Sequence, residues 1–330
     1  MLRFPGAQHM HKGTRIFIAG HNGLVGSAVL RRCLLEGYEN LLIPNRSELD
    51  LTNQSDVNRF FEAATPEVVI LAAARVGGIL ANSTQPADFI RDNLLIQTNV
   101  VDAAHRFGTG RFIFLGSSCI YPKHAPQPLR EEYLLSGELE PTNDAYATAK
   151  IAGIKMCQAY QRQHGFDAWS LMPTNLYGPG DNFDLQSSHV LPALIRKFHE
   201  AKVRQEHSVT IWGSGEPRRE FLHVDDLAAA CLFVLEQPES RLAEVAPDRI
   251  LNIGTGEDLK ISEVALLISA IVDGQRRLEF DGTKPDGTPR KLLDTSRMMK
   301  LGWQPSISLR VGIAATYDWF IRSCTQALVA

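Results

Sequence analysis

Three glycines spaced as Gly20-x-x-Gly23-x-x-Gly26 stand directly after an apolar run at 15–19 and open an amphipathic stretch that starts at Leu24. Strand, tight glycine turn and helix in that order narrow the choice of folds more than any other stretch of the chain. Glycine permits the turn and lets the backbone approach a ligand, and the free N–H groups of a helix N-terminus suit a pyrophosphate. A glycine-rich turn can also serve helix-on-strand packing alone. Further strand-like runs at 40–43, 68–71, 111–115 and 168–171 alternate with helical stretches from Ser55, near 87–107 and from about Asn143. This βαβα alternation predicts an α/β fold, a doubly wound parallel sheet with helices on both faces.

After Pro173 the regularity breaks. A Gly/Pro/Asn/Asp loop at 177–183 leads into a smaller, mixed α/β C-terminal lobe, expected to hold the helix after His189, the strand 209–212 and the pieces from Lys260 onward. The apolar helix 225–236 and strand 250–253 read as returning to the first sheet. The expected boundary is therefore discontinuous: 14–180 with 219–255 bind the cofactor, 181–218 with 256–330 bind substrate, and 1–13 form an extension without a role. A chain of 330 residues, 44% hydrophobic and 22% charged, matches a soluble globular protein. Its formal charge of −3 offers no general attraction to nucleic acid or anionic lipid. No apolar run approaches the roughly 18–20 residues that cross a bilayer, and the first residues lack the apolar core of a signal peptide. Five widely spaced cysteines, with no CxxC pair and no zinc pattern, fit a reducing, cytoplasmic compartment and a protein without metal.

Tyr146 and Lys150, four apart on a helix, share one face, so the ammonium can sit near the phenol and favour its ionised form. A tyrosine tuned in this way can exchange a proton with a substrate oxygen. Leu115-Gly116-Ser117-Ser118 end a buried strand, at the carboxyl edge where ligands sit in such sheets, and Ser117 can hydrogen-bond a reacting carbonyl. Singly these are a strand-end serine, a core tyrosine and a surface lysine. Together, downstream of a nucleotide turn, they read as hydride chemistry at a carbonyl. Arg46 lies where NAD-selective folds often place an acid on the ribose; an arginine pairs with a 2′-phosphate, which favours NADP(H), though it also reads as a solvated loop cation. Cys119, two residues past Ser117, could act as a thiolate on a proton next to C=O, or pack as a small hydrophobe. His189 stands at an expected helix start, as a functional imidazole or as a cap.

The stretches Phe17-Ile-Ala-Gly-His-Asn-Gly, Ala72-Ala-Ala-Arg-Val-Gly-Gly-Ile, Leu115-Gly-Ser-Ser-Cys-Ile-Tyr-Pro, Met172-Pro-Thr-Asn-Leu-Tyr-Gly-Pro, Arg219-Glu-Phe-Leu-His-Val-Asp-Asp and Lys284-Pro-Asp-Gly-Thr-Pro-Arg-Lys are more selective. Through them the chain resembles the extended short-chain dehydrogenase/reductase superfamily and, within it, the GDP-4-keto-6-deoxy-D-mannose epimerase-reductases. The resemblance implies a Rossmann fold that inverts C3 and C5 of a GDP-linked 4-ketosugar and then reduces C4 with NADPH, yielding GDP-L-fucose. It implies Ser117, Tyr146 and Lys150 as reductive triad, Cys119 as epimerisation base and His189 as acid on the opposite face. For the cofactor it implies Gly20, His21, Asn22, Gly23, Leu24, Val25, Gly26, Arg46, Leu115, Gly116, Ser117, Ser118, Tyr146 and Lys150, with Pro173, Thr174, Asn175, Leu176 and His189 along the nicotinamide. For the nucleotide sugar it implies Lys197, Trp212, Arg219, Arg277 and Asp286. Asn22 departs from relatives that carry arginine there, which leaves NADP selection resting on Arg46. Relatives also suggest a homodimer through a four-helix bundle of the helices near 87–107 and 143–163. A dehydratase would carry Thr and acidic residues where this chain has Ser117-Ser118-Cys119, and a silent NADP-binding regulator would be expected to lack Tyr146 or Lys150.

Overall fold

The computed structural model describes residues 10–274, 276–284 and 286–327; 1–9 of the expected extension and the last three residues of the expected C-terminal lobe lie outside them. In chain order the first elements are β1 (Ile16–Ala19), α1 (Leu24–Leu35), β2 (Leu41–Leu42), α2 (Gln54–Ala64), β3 (Val68–Leu71), α3 (Ile79–Thr84), α4 (Pro86–Arg106), β4 (Arg111–Leu115), α5 (Asp144–His164) and β5 (Ala168–Pro173). There follow β6 (Asn175–Tyr177), α6 (Val190–Val203), β7 (Ser208–Trp212), β8 (Arg218–Arg219), β9 (Phe221–His223), α7 (Val224–Leu235), α8 (Glu239–Val245) and β10 (Ile250–Ile253). The last are β11 (Leu259–Lys260), α9 (Ile261–Val272), β12 (Arg277–Asp281), β13 (Arg290–Lys291), α10 (Ser296–Leu301) and α11 (Leu309–Ala327).

Six strands make one sheet in the order β10-β5-β4-β3-β1-β2, with every neighbouring pair parallel. Strands buried on both faces have no reason to alternate with polar residues, which is why β1, β3 and, after Arg111, β4 read as unbroken apolar runs. Ile16 and Ile18 point into a core shared with Val29 of α1 and Leu227 and Ala228 of α7. Phe17 and Ala19 point the other way, toward Val57 and Phe61 of α2 and Val100 of α4. The fold is thus the expected doubly wound one. Its strand order reverses between β1 and β3, and at such a switch point the carboxyl ends of the strands leave a crevice for a ligand.

A third core belongs to the smaller lobe. Leu191, Ile195 and Phe198 of α6 meet Val209 and Ile211 of β7, Val264 and Ile268 of α9 and Ile313 of α11. The expected irregularity after Pro173 begins later: Asn175–Tyr177 is a short strand, parallel to β9. The loop follows it. On the larger lobe, Gly153 lets α5 lie close against β4, since a Cβ there would overlap the Phe114 ring.

Candidate active site

The cofactor turn is shaped by missing side chains. Gly20 has φ +86, and a Cβ on it would come within 2.8 Å of the Ala73 backbone at the end of β3. A Cβ on Gly26 would overlap the Gly20 carbonyl oxygen. Gly23 caps α1 in extended conformation, and the turn closes through Gly23 N–H donating to Gly20 O at 3.0 Å. Leu24, Val25 and Gly26 therefore present first-turn N–H groups, and α1 has no acid in that turn to compete with an anion. This cradle fits a dinucleotide pyrophosphate. His21 is buried beside it, while exposed Asn22 donates Nδ2 to Asn45 Oδ1 at 3.1 Å and so ties the turn to the segment carrying exposed Arg46.

At the carboxyl end of β4, Gly116 and Ser118 are buried while Ser117 and Cys119 are half-exposed. Ser117 is extended and its Oγ accepts from Cys119 N at 3.3 Å, which starts a short 3-10 turn. Buried Lys150 projects from α5 and donates Nζ to Leu115 O at 2.8 Å; the same Nζ is 5.9 Å from the centre of the Tyr146 ring. Burial pulls the ammonium of Lys150 down to about 8. Burial, and then the charge of Cys119, push the Tyr146 phenol above its ordinary range, against a smaller pull from its bond to Ser117. The expectation that Lys150 favours the ionised phenol is therefore corrected. Desolvation disfavours both charged forms, and the lysine is bonded to a backbone carbonyl.

The thiol of Cys119 behaves in the opposite sense. Burial raises its proton affinity, but the charge of Lys291, a bond from Ser117, a bond from Lys291 and the charge of Arg219 together hold it below that of an ordinary cysteine. Lys291 Nζ lies 3.5 Å from Cys119 Sγ. Both cations come from one pair of parallel strands, β13 and β8, in which Lys291 stands opposite Arg219. His189 is the residue that precedes α6; its ring caps no described N–H of that helix, which leaves the capping alternative without a bond. His189 is exposed on its outer side, and partial desolvation by the protein on the other, followed by the charge of Lys291, lowers its basicity. Lys291 thus acts on both the thiol and the imidazole, and reading the sequence missed it as a site residue. Its only signal there was its place at the end of a basic, family-like stretch.

Pro173 ends β5, and buried Thr174 and the amide of Asn175 both donate to Glu220 O, at 3.3 and 2.8 Å, with Leu176 next along β6. In the smaller lobe, Trp212 is 55% exposed and flanked by two ammoniums, Lys197 at 5.1 Å and Lys284 at 5.4 Å from the ring centre. Lys284 is the second cation that sequence reading left unassigned. Asp286 accepts from Ser214 N at 2.9 Å and Ser214 Oγ at 2.7 Å, which holds the turn after Trp212. Arg219 is drawn inward and donates to Arg218 O and Thr288 O. Arg277 is not brought to this group. It pairs with Ser208, at the end of β7 remote from Trp212, roughly 13 Å along the strand.

A dinucleotide cradle at the switch point with a Ser/Tyr/Lys set one strand away agrees with a family comparison. Residues 16–254 match the model of the NAD dependent epimerase/dehydratase family. The chain belongs to that family. Among the family's curated members, the GDP-L-fucose synthase 1 of Arabidopsis thaliana is 57% identical over 312 residues, 94% of each chain. The GDP-L-fucose synthase of Escherichia coli (strain K12) is 52% identical over 311 residues, 94% of this chain and 97% of that one. A solved structure, a GDP-mannoheptose C4 reductase from Campylobacter jejuni with NADP bound, superposes with a TM-score of 0.86 at 38% identity, covering 95% of this chain and 100% of that one.

Proposed function

We propose that this chain is a GDP-L-fucose synthase: it inverts C3 and C5 of GDP-4-keto-6-deoxy-D-mannose and then reduces C4 with NADPH. The observation that carries the reading is the Cys119 corner. A thiol held toward its anion by an ammonium 3.5 Å away, two residues from a carbonyl-binding serine, is a base that a simple ketoreductase does not need.

The chemistry follows from one oxo group. A C4 ketone acidifies the C–H bonds at C3 and C5, so Cys119 can remove a proton and His189, on the opposite face, can return one. Lys291 favours the thiolate form that Cys119 needs before it abstracts a proton, and Cys119 holds that proton as a neutral thiol afterwards. Ser117 and Tyr146 hold the oxygen, and the raised proton affinity of Tyr146 keeps it a donor, able to deliver its proton as charge builds on that oxygen. NADPH supplies the hydride to C4. Reduction comes last because it removes the acidity on which inversion depends. The turn 20–26, Arg46, residues 115–118, Lys150 and residues 173–176 hold the cofactor, and Lys197, Trp212, Arg219 and Asp286 line the nucleotide-sugar side. We assign 14–180 with 219–255 to the cofactor lobe and 181–218 with 256–330 to the substrate lobe.

A homodimer completes the proposal. α4 and α5 are 21-residue helices packed on each other, and a twofold would join two such pairs into a four-helix bundle. Sedimentation as a monomer at micromolar concentration would contradict it. No helix among the described residues is long and apolar enough to cross a membrane.

The test is a paired assay with the GDP-linked 4-ketosugar in deuterated water, following NADPH oxidation and deuterium incorporation separately. Stoichiometric oxidation with exchange at C3 and C5 is expected. Cys119→Ser should abolish exchange and retain some reduction. Oxidation without exchange in the wild-type protein would leave a plain reductase.

A further inference from the structure

We infer that Glu220 is a positioning residue that holds Lys291 against Cys119. Glu220 is fully buried and follows Arg219 in the chain. Its backbone N–H donates to Lys291 O at 3.3 Å, and its Oε2 accepts from Leu293 N at 2.9 Å, so one residue grips the chain at Lys291 and two residues beyond it. Oε1 accepts from Thr255 N at 2.6 Å and Gly256 N at 2.8 Å, anchoring the carboxylate to the segment after β10. Gly254 leaves the room for this, since a Cβ there would overlap Oε1. The carbonyl of Glu220 takes the bonds from Thr174 and Asn175, so the same residue joins the thiol's cation to the end of β5.

Why a carboxylate is required follows from its donors. A carboxylate only accepts, and here both oxygens face backbone N–H groups. Glutamine has the same shape but one acceptor. With its oxygen kept on Thr255 and Gly256, its NH2 would face the Leu293 N–H, donor against donor, and β13 would be pushed off β8 with Lys291 on it. The charged and titratable groups around the thiol are Lys291 from β13, Arg219 from β8 and Tyr146 from α5, and Lys291 also acts on His189 at the start of α6. Of the two cations among them, only Lys291 bonds to the sulfur.

The test reads the thiol directly. In the full-length Cys324→Ser protein, which removes the exposed cysteine while Cys33, Cys157 and Cys231 stay buried, alkylation of Cys119 by iodoacetamide is followed across pH by peptide mass spectrometry. Glu220→Gln should move the midpoint upward, slowing alkylation at neutral pH by roughly three- to tenfold. Lys291→Met should move it the same way, and the double variant should add little, because both act through one contact. The direction discriminates: mere deletion of a nearby negative charge would lower the midpoint. An unchanged or lowered midpoint in a folded Glu220→Gln protein, or full additivity with Lys291→Met, overturns the inference. Folding is checked by thermal unfolding and NADPH binding. If Glu220→Gln fails to fold, Glu220→Asp, which withdraws the carboxylate by one methylene, should show the same upward shift, and an unshifted midpoint in it is equally fatal. The inference rests on the reading of Cys119 as the base, but its readout needs no sugar. An upward shift in a protein without deuterium exchange sinks that reading alone; an unshifted midpoint in an exchanging enzyme sinks this one alone.

Discussion

The glycine turn and the thiol corner lie along the same carboxyl edge of one sheet and are built by opposite means. The turn occupies seven consecutive residues and works through backbone N–H groups and absent Cβ atoms. The corner joins Cys119 to Lys291, 172 residues away, through side-chain charge. A site made of backbone resists graded change, since any added atom must displace the chain. A site made of charges can be tuned by one side chain without moving the fold.

The largest effect that would sharpen this contrast is at the corner's neighbour, Tyr146. Tyr146→Phe removes the proton donor alone, so the hydride step, read by single-turnover NADPH oxidation, should slow by roughly 10²- to 10⁴-fold while deuterium exchange persists. At the turn, Gly26→Ala sets a methyl into the Gly20 carbonyl and should weaken NADPH binding by about a hundredfold in a fluorescence titration, a cost of about 3 kcal/mol typical of overpacking. Retained tight binding would break the claim that the turn is sterically fixed. Arg46→Ala should cut the preference for NADPH over NADH by roughly tenfold or more, as expected for one charge-assisted bond, measured as the ratio of kcat/KM values. The smallest change is expected from Lys291→Met. Because Lys291 lowers the proton affinity of Cys119, its removal raises it, and deuterium exchange should be lost at a higher pH as the solution is acidified, with about a tenfold slower rate at neutral pH. An unmoved acid limb would show that the lysine does not tune the thiol.

Much of the architecture was legible because buried parallel strands carry no alternating pattern to misread. β3, β4 and β10 fall where the apolar runs lie, and α5 begins next to Asn143. The strand expected at 40–43 shortens to Leu41–Leu42, and Asn175–Tyr177 pairs with β9 although three residues carry no periodicity. The Tyr146/Lys150 spacing correctly indicated a shared helix face but not the balance of forces on it. Burial and the charge of Cys119 set the proton affinity of Tyr146, and Lys150 turns to Leu115 O instead. Trp212, Lys197 and Asp286 gather around one turn, whereas Arg277 ends up at the far end of its strand, because only the β7–β12 register decides which end of a strand faces the site.

Local order was thus written in the chain itself. The glycine spacing, the apolar runs and the Tyr/Lys pair determine a dinucleotide fold with a tyrosine and a lysine on one helix face, because each depends on residues within one turn or strand of each other. The company of Cys119 was decided only by folding. Pairing β8 with β13 sets Arg219 opposite Lys291, and an ammonium contact across 172 residues changes the thiol's acidity through a Coulomb interaction that depends on distance in space.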